Sequence, residues 1–144
     1  MKLVLQRVLE ASVETEGKTV GKIGKGYLVL FGAGEGDTRE DAERLAAKMI
    51  NLRIFSDEND KINLALGVVD GQLLIVSQFT LYADCRKGNR PNFIQAAKPE
   101  LAESLYEYFI ELCRHKVPVV ETGIFGADMK VSLVNDGPFT VILE

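Results

Sequence analysis

Two continuous apolar runs, Tyr27-Leu28-Val29-Leu30-Phe31 and Leu73-Leu74-Ile75-Val76, constrain the fold of this chain more than any other feature. Preceded by turn signals at Gly24-Lys25-Gly26 and Asp70-Gly71, they read as strands, and continuous apolar character suits a strand covered on both faces. A strand covered twice needs a layer on each side of its sheet. Lys2 to Glu16, a turn at Glu16-Gly17-Lys18, and Thr19 to Ile23 predict a hairpin. Further strands are expected at Arg53 to Phe55, Ile62 to Leu64, Gln72 to Tyr82, Val117 to Val120, Met129 to Val134 and Phe139 to Leu143, with a polar turn over Ser56 to Lys61.

Two stretches carry helical spacing instead. After a loop at Gly32 to Gly36, Asp37 or Thr38 is placed to cap a helix, with Asp41 in its positive first turn and Ala42, Leu45, Ala46, Met49 and Ile50 forming one apolar face. Pro99 suits the first position of a second helix over Glu100 to Lys116. There Glu100, Glu103, Glu107 and Glu111 form an acidic stripe, and Leu101, Leu105, Tyr108, Phe109 and Leu112 are expected on the opposite, buried side. No linker, repeat or low-complexity tract intervenes. The chain reads as one α/β domain over residues 1–144, with a mixed sheet and both helices covering one layer.

At 144 residues, 47% of them hydrophobic, a chain buries roughly 70% of the surface its unfolded form exposes, enough for a core without staples. Cys85 and Cys113 show no metal or disulfide spacing. No apolar stretch approaches the ~20 residues that span a bilayer, and the charges at Lys2 and Arg7 come too early for a signal peptide. A soluble, cytoplasmic protein without a membrane partner is expected.

The usual catalytic inventories are thin. The single histidine, His115, ends a helix, where a cation is favoured; Cys113 and His115, two apart, face different sides of it. Gly32-Ala33-Gly34-Glu35-Gly36 matches neither phosphate-loop pattern and is followed by acids, so a plain connection is expected. Ser56-Asp57-Glu58-Asn59-Asp60 lacks the glycine and closing glutamate of a calcium loop. No metal site and no cofactor are expected. Two segments stand out. Ser77-Gln78-Phe79-Thr80 places polar groups at the end of an apolar strand, and such groups are either locked in hydrogen bonds or line a site. Asn135-Asp136-Gly137-Pro138 is, on its residues, a hairpin turn between two strands. A Gly–Pro bond also reaches the cis form for about 0.5–1 kcal/mol.

Together, Ser77-Gln78-Phe79-Thr80-Leu81 and Asn135-Asp136-Gly137-Pro138-Phe139-Thr140 resemble the paired signature motifs of the D-aminoacyl-tRNA deacylase family. Met1 to Arg7, Asn51 to Phe55, Gly88 to Phe93 and Val120 to Met129 are similar to the family as well, so the resemblance covers essentially the whole chain. Phe139 departs from the smaller Val usual at its position. The resemblance implies a three-layer α/β/β fold with a barrel-like sheet covered by the two helices. It implies a homodimer, with the active site at the interface, that hydrolyses the ester of D-aminoacyl-tRNA and of glycine mischarged on tRNA-Ala. It also implies that a cis Gly137-Pro138 from one subunit rejects L-amino acids in the site of the other. Ser77, Gln78, Phe79 and Thr80 are then the catalytic segment, the amides of Phe79 and Thr80 facing the oxyanion, with assistance from the 2′-hydroxyl of the terminal adenosine. Phe125 and Met129 match positions of the adenosine pocket, and Arg7 supports the Gly-Pro motif. The partner is the 3′ end of an aminoacyl-tRNA, not DNA. Two alternatives stand beside this reading: a non-catalytic tRNA-binding module, and a general esterase with Thr80 or Ser77 as nucleophile.

A formal charge of −4 argues against a broad electrostatic platform for nucleic acid. Its distribution is uneven. Glu35 to Glu43 holds five acids and one base and Glu100 to Glu111 four acids, together −8, leaving +4 for the rest; Asp84 to Lys98 carries Arg86, Lys87, Arg90 and Lys98 against one Asp. A local basic rim of this kind suits an enzyme that grips only a tRNA tip.

Overall fold

The computed structural model describes residues 1–144. Strand β1 (Lys2–Thr15) and β2 (Lys18–Ile23) form the expected hairpin, and β3 (Gly26–Gly32) follows. Helix α1 (Arg39–Asn51) leads to the small antiparallel pair β4 (Arg53–Ser56) and β5 (Ile62–Ala65). Then come β6 (Gln72–Ser77), helix α2 (Pro99–Arg114), β7 (Val120–Thr122) and β8 (Lys130–Leu143). The main sheet runs β2-β1-β3-β6-β7, with β8 paired to β1; β3–β6 and β6–β7 are parallel and the other pairs antiparallel.

The two apolar runs occupy the middle of this sheet as β3 and β6 and are covered on both faces. Val29, Phe31, Leu73 and Ile75 point to the helices, meeting Leu45 and Met49 of α1 and Leu105 and Phe109 of α2. Leu28, Leu74 and Val76 point the other way, against Val8, Val13 and Ile23 of the curled hairpin. The sheet bends far enough to bring β2 beside β7. A Cβ built on Gly21 would lie 2.8 Å from the Thr122 carbonyl oxygen, so only glycine permits this approach. The result is a nearly closed, barrel-like sheet under a helical layer, as the resemblance implied. Each fully buried Phe or Leu contributes about 1.5–3 kcal/mol, so both interfaces are needed.

Helix α1 starts as read. The Asp41 carboxylate accepts hydrogen bonds from the Thr38 amide at 2.9 Å and hydroxyl at 3.1 Å, which hold its carboxyl below the usual range. Three readings need correction. In α2 the buried side is Ala102, Leu105, Tyr106, Phe109, Ile110 and Cys113, whereas Leu101 is exposed and Tyr108 and Leu112 only half-buried. The buried stripe lies about one residue along from the expected one, with Leu101 and Tyr108 at its solvent edge. Next, β6 does not run to Tyr82. It ends at Ser77, Gln78 (φ −145°, ψ 83°) turns the chain out of the sheet, and Phe79–Tyr82 form a 3₁₀ turn. Last, Asn135-Asp136-Gly137-Pro138 is no hairpin. Both flanking segments belong to the single strand β8 and pair with β1, from Glu14↔Lys130 to Leu3↔Leu143. Gln6 pairs with Thr140 and Val8 with Asn135, so Asp136 to Phe139 bulge out opposite Arg7 alone. Pro138, which has no N–H to give the ladder, is tolerated there.

Candidate active site

The polar cluster at the end of β6 lines a cavity. Gln78 donates its amide to the Phe31 carbonyl at 2.7 Å as the chain leaves the sheet, and the turn beyond opens onto a cavity of about 650 Å³. Ser77, Gln78 and Phe79 form one wall, with Phe79 54% exposed to the opening. Phe79 and Thr80 begin a 3₁₀ turn, where leading amides have no carbonyl within the turn and are available to a ligand oxygen.

Phe125 and Met129 form the opposite wall. Their segment follows β7, which pairs with β6, and the Ile75 carbonyl oxygen at the end of that ladder accepts both the Gly123 amide at 3.2 Å and the buried Tyr106 hydroxyl of α2 at 2.7 Å. Burial pushes the Tyr106 phenol up to about 12, so it remains a donor. A Cβ on Gly123 would sit 2.5 Å from the Met129 sulfur, so this glycine makes room for the wall. Phe93 closes a third side, packing edge-on against Phe79 with ring centroids 5.1 Å apart.

The stretch carrying Phe93 also carries the basic residues. It is pinned by paired backbone bonds between Asp84 and Asn92 (2.7 and 3.0 Å), by Glu35 to Gln95 (2.9 Å) and by Ala97 to Ala33 (3.0 Å). Arg86 is not free. Its Nε and Nη2 donate to both Asp84 carboxylate oxygens at 2.9 and 2.7 Å, and with the Arg86 amide they pull that carboxyl down to about 2. Lys87, Arg90 and Lys98 are exposed and make no ion pair, so the basic rim is theirs.

Beneath the 3₁₀ turn lies a support that the residue patterns did not reveal. The Asp37 carboxylate accepts the Gly34 amide at 2.6 Å and faces the Tyr82 hydroxyl at 3.5 Å. Burial and the Asp37 charge raise the Tyr82 phenol well above its ordinary value. The tyrosine ring rests on Gly34, where a Cβ would come within 2.6 Å of ring atoms. The Gly32–Gly36 loop is thus a connection whose central amide is already occupied.

Arg7, Gly137 and Pro138 lie outside the cavity of their own chain. Arg7, only 8% exposed, donates from Nε to the Asp136 carbonyl at 3.0 Å and from Nη1 to the Ile54 carbonyl at 2.7 Å. Asn135 Nδ2 ties the base of the bulge, donating to the carbonyls of Arg7 at 2.8 Å and Phe139 at 3.0 Å. The Gly137–Pro138 peptide is cis, and both residues are exposed. Of the nine candidate residues, five share the cavity, Thr80 sits beside it, and three form this separate braced projection.

Little in the chain offers acid–base chemistry here. His115 caps the C-terminus of α2, with Nδ1 3.1 Å from the Glu111 carbonyl oxygen. Burial pushes the Cys113 thiol up to about 12. The Thr80 hydroxyl receives a hydrogen bond from Gln78 Nε2. No group of three or more His, Cys, Asp or Glu side chains is arranged to hold a metal ion.

A family model for D-Tyr-tRNA(Tyr) deacylase matches residues 4–144. The chain belongs to this family. It is therefore an enzyme, a hydrolase of the aminoacyl-tRNA ester bond. It is 59% identical to a D-aminoacyl-tRNA deacylase of Thermosipho africanus (strain TCF52B) over 100% of this chain and 97% of that protein. Identity to the enzyme of the same description from Clostridium novyi (strain NT) is 54%, again over 100% and 97%. Among solved structures, the c-Myc DNA Unwinding Element Binding Protein superposes with a TM-score of 0.94 at 41% identity, covering 100% of this chain and 98% of its own. A probable eukaryotic D-amino acid tRNA deacylase shares the fold, with a TM-score of 0.81 at 20% identity over 99% and 97%. Phe93 lines the cavity, and Asp37 and Tyr82 lie under its 3₁₀ turn, without being marked by the residue patterns. An aromatic stranded in the polar stretch Gly88 to Asn92 was the one available signal for Phe93; nothing local marks Asp37 and Tyr82 as partners.

Proposed function

We propose that this deacylase removes D-amino acids, and glycine mischarged on tRNA-Ala, from tRNA as a chirality-proofreading step of translation in the cytoplasm. The observation that carries the reading is the division of labour in the geometry. A cavity with aromatic walls and a basic rim is suited to a terminal adenosine, while the braced Gly137–Pro138 projection points away from its own cavity toward solvent. β8 pairs with β1 on one edge only and leaves the other open, so a second copy of this chain can bring its projection to the site. Together these favour a homodimer with its active sites at the interface.

In that assembly the carbonyls of Gly137 and Pro138 fix the substrate α-ammonium. An L side chain is then driven into backbone, a D side chain points to open space, and glycine passes. Discrimination by clash exceeds what an attractive pocket supplies. Water attacks the ester carbonyl, the amides of Phe79 and Thr80 stabilise the oxyanion, the acyl C–O bond breaks, and the freed ribose hydroxyl takes the proton. Such a donor has been worth about 2.7–4 kcal/mol where measured. Ser77 and Gln78 position the ester, Phe125 and Met129 hold the adenine, and the 2′-hydroxyl of the adenosine assists the water.

Incubation with D-Tyr-tRNA and L-Tyr-tRNA tests the activity: release of D-tyrosine at least about 100-fold faster than L-tyrosine is expected, on the scale of clash-based discrimination. Equal rates would remove the chirality reading, and equally fast turnover of simple aryl esters would favour a general esterase. Thr80→Ala is expected to keep most activity, because no base stands by the hydroxyl and an unactivated hydroxyl is a weak nucleophile. Complete loss of turnover with intact tRNA binding would make Thr80 the nucleophile.

A further inference from the structure

We infer that Phe139 is a specificity-positioning residue, its ring fixing the plane of the Arg7 guanidinium and, through it, the Gly137–Pro138 projection. The inference rests on the reading of that projection as the chiral filter. Arg7 donates from Nε to the Asp136 carbonyl and from Nη1 to the Ile54 carbonyl, and its Nε also lies 3.5 Å from the Asp136 carboxylate. Contacts at Nε and Nη1 alone leave the plane free to rock about the line joining those two atoms. The ring of Phe139 removes that freedom, with the guanidinium carbon 4.8 Å from its centroid. The stack is partly desolvated, since Arg7 is 8% exposed and Phe139 half-buried against the helical core.

The plane matters because of what rests on it. A Cβ built on Gly137 would meet Arg7 Nη2 at 3.1 Å, and the Phe139 amide nitrogen at the same distance, so the guanidinium edge lies directly under the Gly137 backbone. A small tilt of the guanidinium therefore changes the support under Gly137. Phe139 is also tied to the bulge from below, its carbonyl accepting Asn135 Nδ2 at 3.0 Å. The ring is attached to the same bulge whose brace it stacks upon. A branched aliphatic side chain at 139 would fill the volume but has no negative face to hold a cation flat.

A small tilt of the guanidinium, unlike loss of Arg7 itself, leaves the carbonyls that fix the α-ammonium within reach; it affects rejection more than turnover, because rejection of an L side chain needs a rigid clash and acceptance of a D side chain needs only space. In Phe139→Leu, hydrolysis of L-Tyr-tRNA is expected to rise about tenfold while that of D-Tyr-tRNA changes less than about threefold. Phe139→Tyr, which keeps the ring face, is expected to retain the wild-type D-over-L ratio. Phe139→Met is the substitute should the leucine variant fail to fold, and retained D-Tyr-tRNA turnover certifies folding in each case. A D-over-L ratio unchanged in Phe139→Leu, beside a D-selective wild type, would overturn the inference; so would a loss of both activities in proportion, which a merely structural ring would produce. A wild type without D-selectivity would instead overturn the filter itself, and the two failures are thereby distinguished.

Discussion

Arg7→Ala is expected to lower unfolding stability by roughly 3–5 kcal/mol and to reduce kcat/KM for D-Tyr-tRNA by at least about 100-fold. The stability loss comes from the carbonyls of Asp136 and Ile54, each of which receives a charged donor from this one side chain. Hydrogen bonds to charged groups are worth about 1.5–3 kcal/mol each, and the Ile54 acceptor belongs to a buried residue that water does not reach freely. Domains of this size have about 5–15 kcal/mol to lose, so the variant stays folded at 25 °C with a lower urea midpoint. The activity loss follows because Asp136 to Phe139 face only Arg7 across the ladder, and without it the bulge is tied mainly by Asn135. Arg7→Lys keeps the charge but cannot donate in two fixed directions at once, so it should fall between the two. An alanine variant within 1 kcal/mol of wild type and with unaltered kinetics would show that the bulge holds itself.

Gly34→Ala is expected to cut kcat about 100-fold with a smaller change in KM, and to destabilise by about 1–3 kcal/mol. The new methyl would lie 2.6 Å from the Tyr82 ring, a contact that forces displacement. Tyr82 cannot yield quietly: its hydroxyl faces Asp37, Lys2 Nζ sits 4.8 Å over its ring, and it ends the turn that begins with Phe79 and Thr80. Moving it moves the Phe79 and Thr80 amides proposed to meet the oxyanion, while the opposite cavity wall at Phe125 and Met129, which follows β7, stays where it is. That separation predicts a fall in kcat rather than in tRNA affinity. Gly34→Ala combined with Tyr82→Leu, which frees the space of the ring, should recover part of the lost rate; no recovery, or a loss confined to KM, would place the fault elsewhere.

Much of this protein was legible from residues alone. The runs at Tyr27–Phe31 and Leu73–Val76 determined strands with two covered faces, the spacing of Ala42, Leu45 and Met49 determined a helix with one, and Pro99 marked where the second begins. Each is a local preference, in which a side chain repeats at the period of its element and declares which way it faces. The paired motifs around Phe79 and Pro138 likewise carry the family resemblance in sequence alone.

Tertiary structure alone decided the rest. Whether Asn135–Pro138 closes a hairpin or bulges from a continuous strand depends on the partner of its two flanks; that partner is β1, at the other end of the chain. The strand at Ser77 ends because Gln78 turns out of the sheet after its amide has met Phe31, a contact between separate strands. The support of the Phe79–Tyr82 turn joins Gly34, Asp37 and Tyr82, and the brace of the projection joins Arg7, Ile54 and Asp136. A periodic pattern states which face of an element is buried but not what it is buried against, and these contacts are set by the register of distant strands.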